Sequence, residues 1–123
     1  MKISPRILVV EDDSILRQYV MQALAAGGCD AAGAESAEEA LLACQREGFD
    51  LVVSDVAMAG LSGPELAYQL WGRRPDLPFL FMTGQDPEVL ETCGLSGYDL
   101  IEKPFDIHHF LARVRQALTE VRP

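Results

Sequence analysis

Groups able to bind a cation and an oxyanion stand at the ends of four apolar runs in this chain. Ile7-Leu8-Val9-Val10 stops at Glu11-Asp12-Asp13, and Leu51-Val52-Val53-Ser54 stops at Asp55. Phe79-Leu80-Phe81-Met82 stops at Thr83-Gly84, and Leu100-Ile101-Glu102 stops at Lys103-Pro104-Phe105. A short apolar run read as a buried strand cannot carry an unpaired carboxylate in its middle, because burying that charge costs several kcal/mol. At the same end of parallel strands such groups converge on one rim, where open α/β sheets bind their ligands. Three carboxylates, a hydroxyl and an amine on one rim make a site for a divalent cation and a phosphoryl group.

The elements that must position these groups follow from the periodicity. Apolar runs alternate with helical patterns, the signature of repeated βα units and a parallel sheet. Ile15, Leu16, Tyr19, Val20, Ala23 and Leu24 recur at helical spacing; Asp13 or Ser14 caps that helix and Gly27-Gly28 stops it. Cys29–Ala34 is a weak second strand of small residues, placed nearer the sheet edge. Ser36-Ala37-Glu38-Glu39 has the form of a capping box, followed by Ala40, Leu41, Ala43 and Cys44 and ended by Gly48. The third strand is the most continuously apolar, as expected for one buried on both faces. Pro64 suits the first turn of the next helix, whose inward stripe is Leu66, Ala67, Leu70 and Trp71. Asp86-Pro87-Glu88 opens a short fourth helix bracketed by Gly94 and Gly97. Asp106 caps the last helix, with Ile107, Phe110, Leu111, Val114, Leu118 and Val121 as its stripe. The expectation is one α/β domain of five strands and five helices over residues 1–123, with no linker, repeat or output domain.

A chain of 123 residues fits one domain with one core between helix layers. No apolar run approaches the ~20 residues that span a bilayer, and no signal-peptide pattern opens the chain. No membrane association and a cytoplasmic location are therefore expected. The net charge of −9, from 19 acids against 10 bases, argues against direct nucleic-acid binding. Arg73, Arg74, Arg113, Arg115 and Arg122 are locally basic. Cys29, Cys44 and Cys93 lack CxxC spacing, so they are expected as buried thiols rather than a zinc site or disulfide framework.

Val9-Val-Glu-Asp-Asp13, the run from Ser54-Asp-Val through Leu61-Ser-Gly63, Met82-Thr-Gly84 and Glu102-Lys-Pro-Phe105 occur in the order and spacing of a response-regulator receiver domain. The chain resembles that family from about Pro5 to Val121. The resemblance implies a flavodoxin-like, doubly wound, five-stranded parallel sheet of order 2-1-3-4-5. It makes Asp55 the phosphoacceptor and implies Mg²⁺ held by Asp12, Asp55 and the carbonyl of Ala57, with Glu11 acting mainly through water. Lys103 would pair with Asp55 and later with a phosphoryl oxygen, and Thr83 would donate its hydroxyl to the phosphoryl group. Pro104 matches a family position whose peptide bond is commonly cis. Implied partners are a histidine kinase or histidine phosphotransfer protein and an unidentified downstream protein. The chain itself would be a monomer or weak dimer, with no catalysis beyond its own phosphorylation and dephosphorylation.

The chain also departs from the family pattern. Leu100 stands where receivers usually carry a switching aromatic, and Tyr98 lies two residues too early. Ala59 and Ser62 replace a common proline and aspartate, and the stretch from Thr83 to Lys103 is about two residues short. Pro78-Phe79-Leu80-Phe81-Met82-Thr83-Gly84 is similar to the Pro-Phe-x-Phe-Ala-Thr-Gly signature of a stand-alone subgroup, with Met82 for alanine. Short fourth helices also occur in receivers attached to hybrid histidine kinases. A phosphorylation-independent scaffold and a receiver fragment of a hybrid kinase are thus the alternatives. A phosphatase of the haloacid-dehalogenase type would want Asp-x-Asp at the first strand tip, which Glu11-Asp12-Asp13 does not supply. His108 and His109, at the start of the last helix, are expected on the surface.

Overall fold

A computed structural model describes residues 4–84, 88–95 and 99–119. The five apolar runs form strands β1 (Arg6–Val10), β2 (Asp30–Ala34), β3 (Leu51–Asp55), β4 (Phe79–Thr83) and β5 (Leu100–Glu102). They alternate with helices α1 (Ser14–Ala26), α2 (Ala37–Arg46), α3 (Gly63–Trp71), α4 (Val89–Thr92) and α5 (Ile107–Thr119). The sheet is parallel throughout, in the order β2-β1-β3-β4-β5. This is the flavodoxin-like arrangement, with the weak strand at one edge.

Alternation along each strand divides the core into two layers, because successive side chains leave a strand on opposite faces. Leu8, Val10, Val52, Phe79 and Phe81 pack with Ala37, Ala40, Leu66, Ala67 and Leu70 of α2 and α3. Ile7, Val9, Val53, Leu80 and Met82 pack on the other face with Val20 and Leu24 of α1 and with Phe110, Val114 and Ala117 of α5. Every residue of β3 and β4 is buried.

Local chemistry sets the helix ends. Asp13, rather than Ser14, caps α1, its side chain accepting from the N–H groups of Ile15 and Leu16. Ser62 and Glu65 form a complete capping box at α3. Asp106 accepts from the N–H of His108 at the start of α5. At α2 the predicted box is half made: Ser36 accepts from the Glu39 N–H, but the Glu39 carboxylate takes the N–H of Glu35.

Several sequence expectations shift. Ile15 is 81% exposed and Tyr19 44%, so the inward stripe of α1 is Leu16, Val20, Ala23 and Leu24. Six apolar positions at helical spacing made too wide a stripe for one helix to bury against one sheet face. Trp71 is half-buried, its indole N–H donating to the Leu77 carbonyl at 2.7 Å. Ala117 joins the buried face of α5. The three thiols form no disulfide among the described residues and are half-buried, not buried. α4 is short, four residues beginning after Glu88; Asp86, Pro87, Gly97, Tyr98 and Val121 lie outside the described residues. Tyr68 of α3 donates its hydroxyl to the carbonyl of Cys93 at 2.7 Å, tying the end of α4 to α3.

Candidate functional site

Strand register brings the polar run ends together. Val10 pairs with Ser54, Ser54 with Phe81 and Phe81 with Leu100. One residue further along each strand, Glu11 is level with Asp55; Thr83 and Lys103 follow at the second and third levels. Backbone bonds carry the alignment past the strand ends, from Val56 N–H to the Met82 carbonyl (2.9 Å) and from Lys103 N–H to the Thr83 carbonyl (2.7 Å). The peptide bond between Lys103 and Pro104 is cis.

Glu11 is 1% exposed, Asp55 7% and Thr83 2%, whereas Asp12 is exposed. The ammonium of Lys103 lies 3.0 Å from Glu11 Oε1 and 3.2 Å from Asp55 Oδ2. It therefore bridges the two carboxylates, a role the sequence reading gave to Asp55 alone. Glu11 is held further: its Oε2 accepts from the Asp13 N–H at 3.1 Å, and its carbonyl accepts from Arg17 Nη1 at 2.7 Å. A carboxylate committed to Lys103 and the Asp13 N–H, on backbone fixed by Arg17, acts as a charge-bearing wall of the site.

Burial raises the Asp55 carboxyl above its ordinary value, and Asp12 adds to the rise; Lys103 and the Ala57 N–H offset only part of it. Glu11 is also raised, again chiefly by burial with Asp55 contributing, against the bonds from Asp13 and Lys103. Burial by itself would lower Lys103, but hydrogen bonding to Glu11 and the charges of Asp55 and Glu11 outweigh it, so its pKa is raised. A single ammonium does not compensate two buried carboxylates with a third beside them.

Those residues fit a divalent cation. Glu11, Asp12 and Asp55 each offer a carboxylate oxygen, all within 4.8 Å of one another. Hard oxygen donors with excess negative charge, on a site left open at the exposed Asp12, suit Mg²⁺, which keeps several waters. The sequence reading placed all three in this role, and the fold brings them together.

The raised Asp55 pKa has a consequence for stability. The folded protein holds that proton to higher pH than the unfolded chain, whose reference value is 3.8. The associated stability is fully present below the reference value and is lost as pH rises through the raised one. In metal-free buffer, Asp55→Asn is therefore expected to melt above the parent protein at neutral pH, with the gap closing in acid. Thermal melts in a chelator across that range check it; a parent that melts higher at neutral pH would contradict the account.

Two contributors escaped the sequence reading. Ser54 donates its hydroxyl to the Asp55 carbonyl at 2.9 Å. Gly63 passes so close to Asp55 that a β-carbon there would lie 2.2 Å from the Asp55 carbonyl oxygen and 3.1 Å from Ser54 Oγ. Both stand inside the recognised Ser54–Gly63 motif, which was the available signal. Gly84 is the opposite case, with nothing among the described residues within 4 Å of an added β-carbon. His108 and His109 are exposed.

A parallel sheet of this order, with acids, a threonine and a lysine gathered on one rim, defines a doubly wound, flavodoxin-like α/β domain with a polar site at the strand ends. Residues 7–115 match the model of the response regulator receiver domain, and the chain belongs to that family. It is 38% identical over 119 residues to the response regulator protein FleR of Pseudomonas aeruginosa, covering 94% of this chain and 25% of that protein. It is 36% identical over 122 residues to the response regulator MprA of Mycobacterium tuberculosis, covering 98% of this chain and 53% of that protein. The chain thus spans between a quarter and about half the length of these curated relatives. Among solved structures, the non-phosphorylated HemR receiver domain from Leptospira biflexa superposes with a TM-score of 0.83 at 34% identity, covering 98% of both chains. Among the described residues, no helix is long and apolar enough to cross a membrane.

Proposed function

We propose that the chain accepts a phosphoryl group on Asp55 from a histidine kinase or histidine phosphotransfer protein and signals through a partner whose binding depends on that phosphorylation. The observation that carries this reading is Lys103 bridging Asp55 and Glu11 at 3.2 and 3.0 Å, with Asp12 beside them. An Asp55 oxygen attacks phosphorus in line, the new O–P bond forming as the P–N bond to the donor imidazole breaks. Asp12, Asp55 and the carbonyl of Ala57, with Glu11 mainly through water, would hold Mg²⁺, whose charge would offset the repulsion between carboxylate and phosphoryl oxygens. Lys103 exchanges its contact with Asp55 for one with a phosphoryl oxygen, and the Thr83 hydroxyl donates to another. No turnover beyond self-phosphorylation and autodephosphorylation is assigned to the chain.

The test is phosphoryl uptake from a small donor such as acetyl phosphate with Mg²⁺, read by intact mass. The parent protein gains one phosphoryl group and Asp55→Asn gains none; equal uptake by both would end this reading and favour a phosphorylation-independent scaffold. The four-residue α4 supports a second reading of the chain's origin, as the receiver of a hybrid histidine kinase. Its phosphoryl chemistry would be the same.

Lifetime follows from the residues beside the water's approach. By resemblance to the family, the residues that tune this approach are those two after the phosphoacceptor and two after the threonine, here Ala57 and Gln85. Ala57 is exposed and its methyl cannot hold a water, while Gln85 lies outside the described residues. A phosphoryl lifetime of minutes or longer is expected. Ala57→Asn should shorten it by up to about tenfold, the worth of one well-placed hydrogen bond in the transition state. Decay of the phosphorylated mass with time measures both.

A further inference from the structure

A cleft of about 230 Å³ opens between the C-terminal ends of α2 and α3, beside the start of β3. It stands a strand's length, roughly 17 Å, from the rim that carries Asp55, and the phosphoryl chemistry makes no use of it. Leu41, Leu70 and Leu77 form its apolar part; Leu70 and Leu77 are buried at 7% and 2% exposure. Arg73 and Arg74 stand at its mouth. The Arg74 side chain is fixed in place, because its Nη1 donates to the Phe49 carbonyl at 2.6 Å. The exposed Asp76 approaches its Nε only to 3.9 Å, a weak contact in water. The Arg73 guanidinium has no ion-pair or hydrogen-bond partner among the described residues. Glu47 is the one carboxylate among the described residues lining the cleft, and it is already paired with Arg6.

The local balance is therefore positive in a chain whose net charge is −9. Two guanidinium groups lining one cleft, one of them preset, each offer the forked donors that a carboxylate accepts in pairs. The half-buried Leu41, backed by the buried Leu70 and Leu77, offers an apolar wall for an apolar body. The volume lies under the ~300–1,000 Å³ of clefts that enclose drug-sized molecules, so the occupant is small. We propose that this cleft binds a small carboxylate with an apolar body, at a site separate from the phosphoacceptor rim.

Benzoate is the probe, followed by amide chemical shifts of the full chain in ¹H–¹⁵N spectra. Saturable shifts are expected for Cys44 to Gly48 and Gln69 to Arg74, with a dissociation constant on the order of 1 mM, while Glu11, Asp55 and Thr83 stay in place. Arg73→Gln, whose side chain is exposed and outside the core, should weaken benzoate at least about threefold, or roughly 0.7 kcal/mol. Neutral benzyl alcohol and inorganic phosphate should each bind more weakly than benzoate. Absence of saturable shifts in these segments would overturn the proposal. Equal binding of benzyl alcohol would remove the charge from it, equal binding of phosphate would remove the apolar body, and an unchanged affinity in Arg73→Gln would remove the arginine. Phosphoryl uptake on Asp55 is read separately, so the two assignments stand or fall independently.

Discussion

Gly63→Ala is expected to destabilise the protein by more than about 3 kcal/mol, the upper range for overpacking a closely packed site. The added methyl would meet the Asp55 carbonyl oxygen at 2.2 Å. That oxygen belongs to backbone fixed at the end of the central strand, and it already accepts from Ser54. It cannot rotate away as a flexible side chain would, so either α3 or the Asp55 peptide must move. Gly63 donates its own N–H to the Val56 carbonyl at 2.9 Å, which ties α3 to the same stretch. For a domain of this size the melting temperature should fall by about 10 °C or more. Gly84→Ala is the matched comparison: with no described residue near the added methyl, its stability should stay within about 0.5 kcal/mol of the parent. Thermal melts of both variants decide it; a Gly63→Ala protein that melts with the parent would mean that the close approach is not rigid. Any folded fraction of that variant should also phosphorylate poorly, since a displacement near 1 Å at a reacting group costs about a hundredfold in rate.

Asp12→Ala is expected to abolish both Mg²⁺-dependent stabilisation and phosphoryl uptake, with an uptake rate lowered at least about a hundredfold. Asp12 is the exposed member of the acidic trio, next to the buried Asp55 and Glu11. In the parent, added Mg²⁺ should raise the melting temperature, because a ligand bound only by the folded state stabilises it in proportion to RT ln(1 + [L]/Kd). Removing Asp12 takes away a donor oxygen and also one source of the raised Asp55 pKa. The metal-free variant should therefore be no less stable than the metal-free parent, while losing its response to Mg²⁺. Melts with and without Mg²⁺, together with uptake from acetyl phosphate, check both halves. Normal uptake by Asp12→Ala would show that the cation, if bound, is held elsewhere.

Much of this protein is legible one residue at a time. The alternation of Ile7, Leu8, Val9 and Val10 assigns each side chain to a sheet face without reference to anything distant. The caps at Asp13 and Asp106 depend on groups two or three residues away. The polar ends of the runs follow because a buried strand cannot hold an unpaired charge. From these local rules came the parallel α/β fold and the charged and hydroxyl groups of the rim, Glu11, Asp12, Asp55, Thr83 and Lys103.

Tertiary structure decided how those members share their interactions. Lys103 and Glu11 are 92 residues apart, and no local pattern says that the ammonium would divide itself between Glu11 and Asp55. Gly63 stands in the sequence only as the last residue of a motif; its need to be glycine comes from the Asp55 carbonyl packed against it. The spacing of Ile15 and Tyr19 placed them on an apolar stripe, but the sheet face has room for only part of it, and both remain in solvent. The sequence by itself determined which residues are apolar, where the runs end and which groups stand at those ends, since these depend on neighbours within a turn or two. Only the assembled sheet decided which charge meets which, because that depends on register between strands and on space that several elements must share.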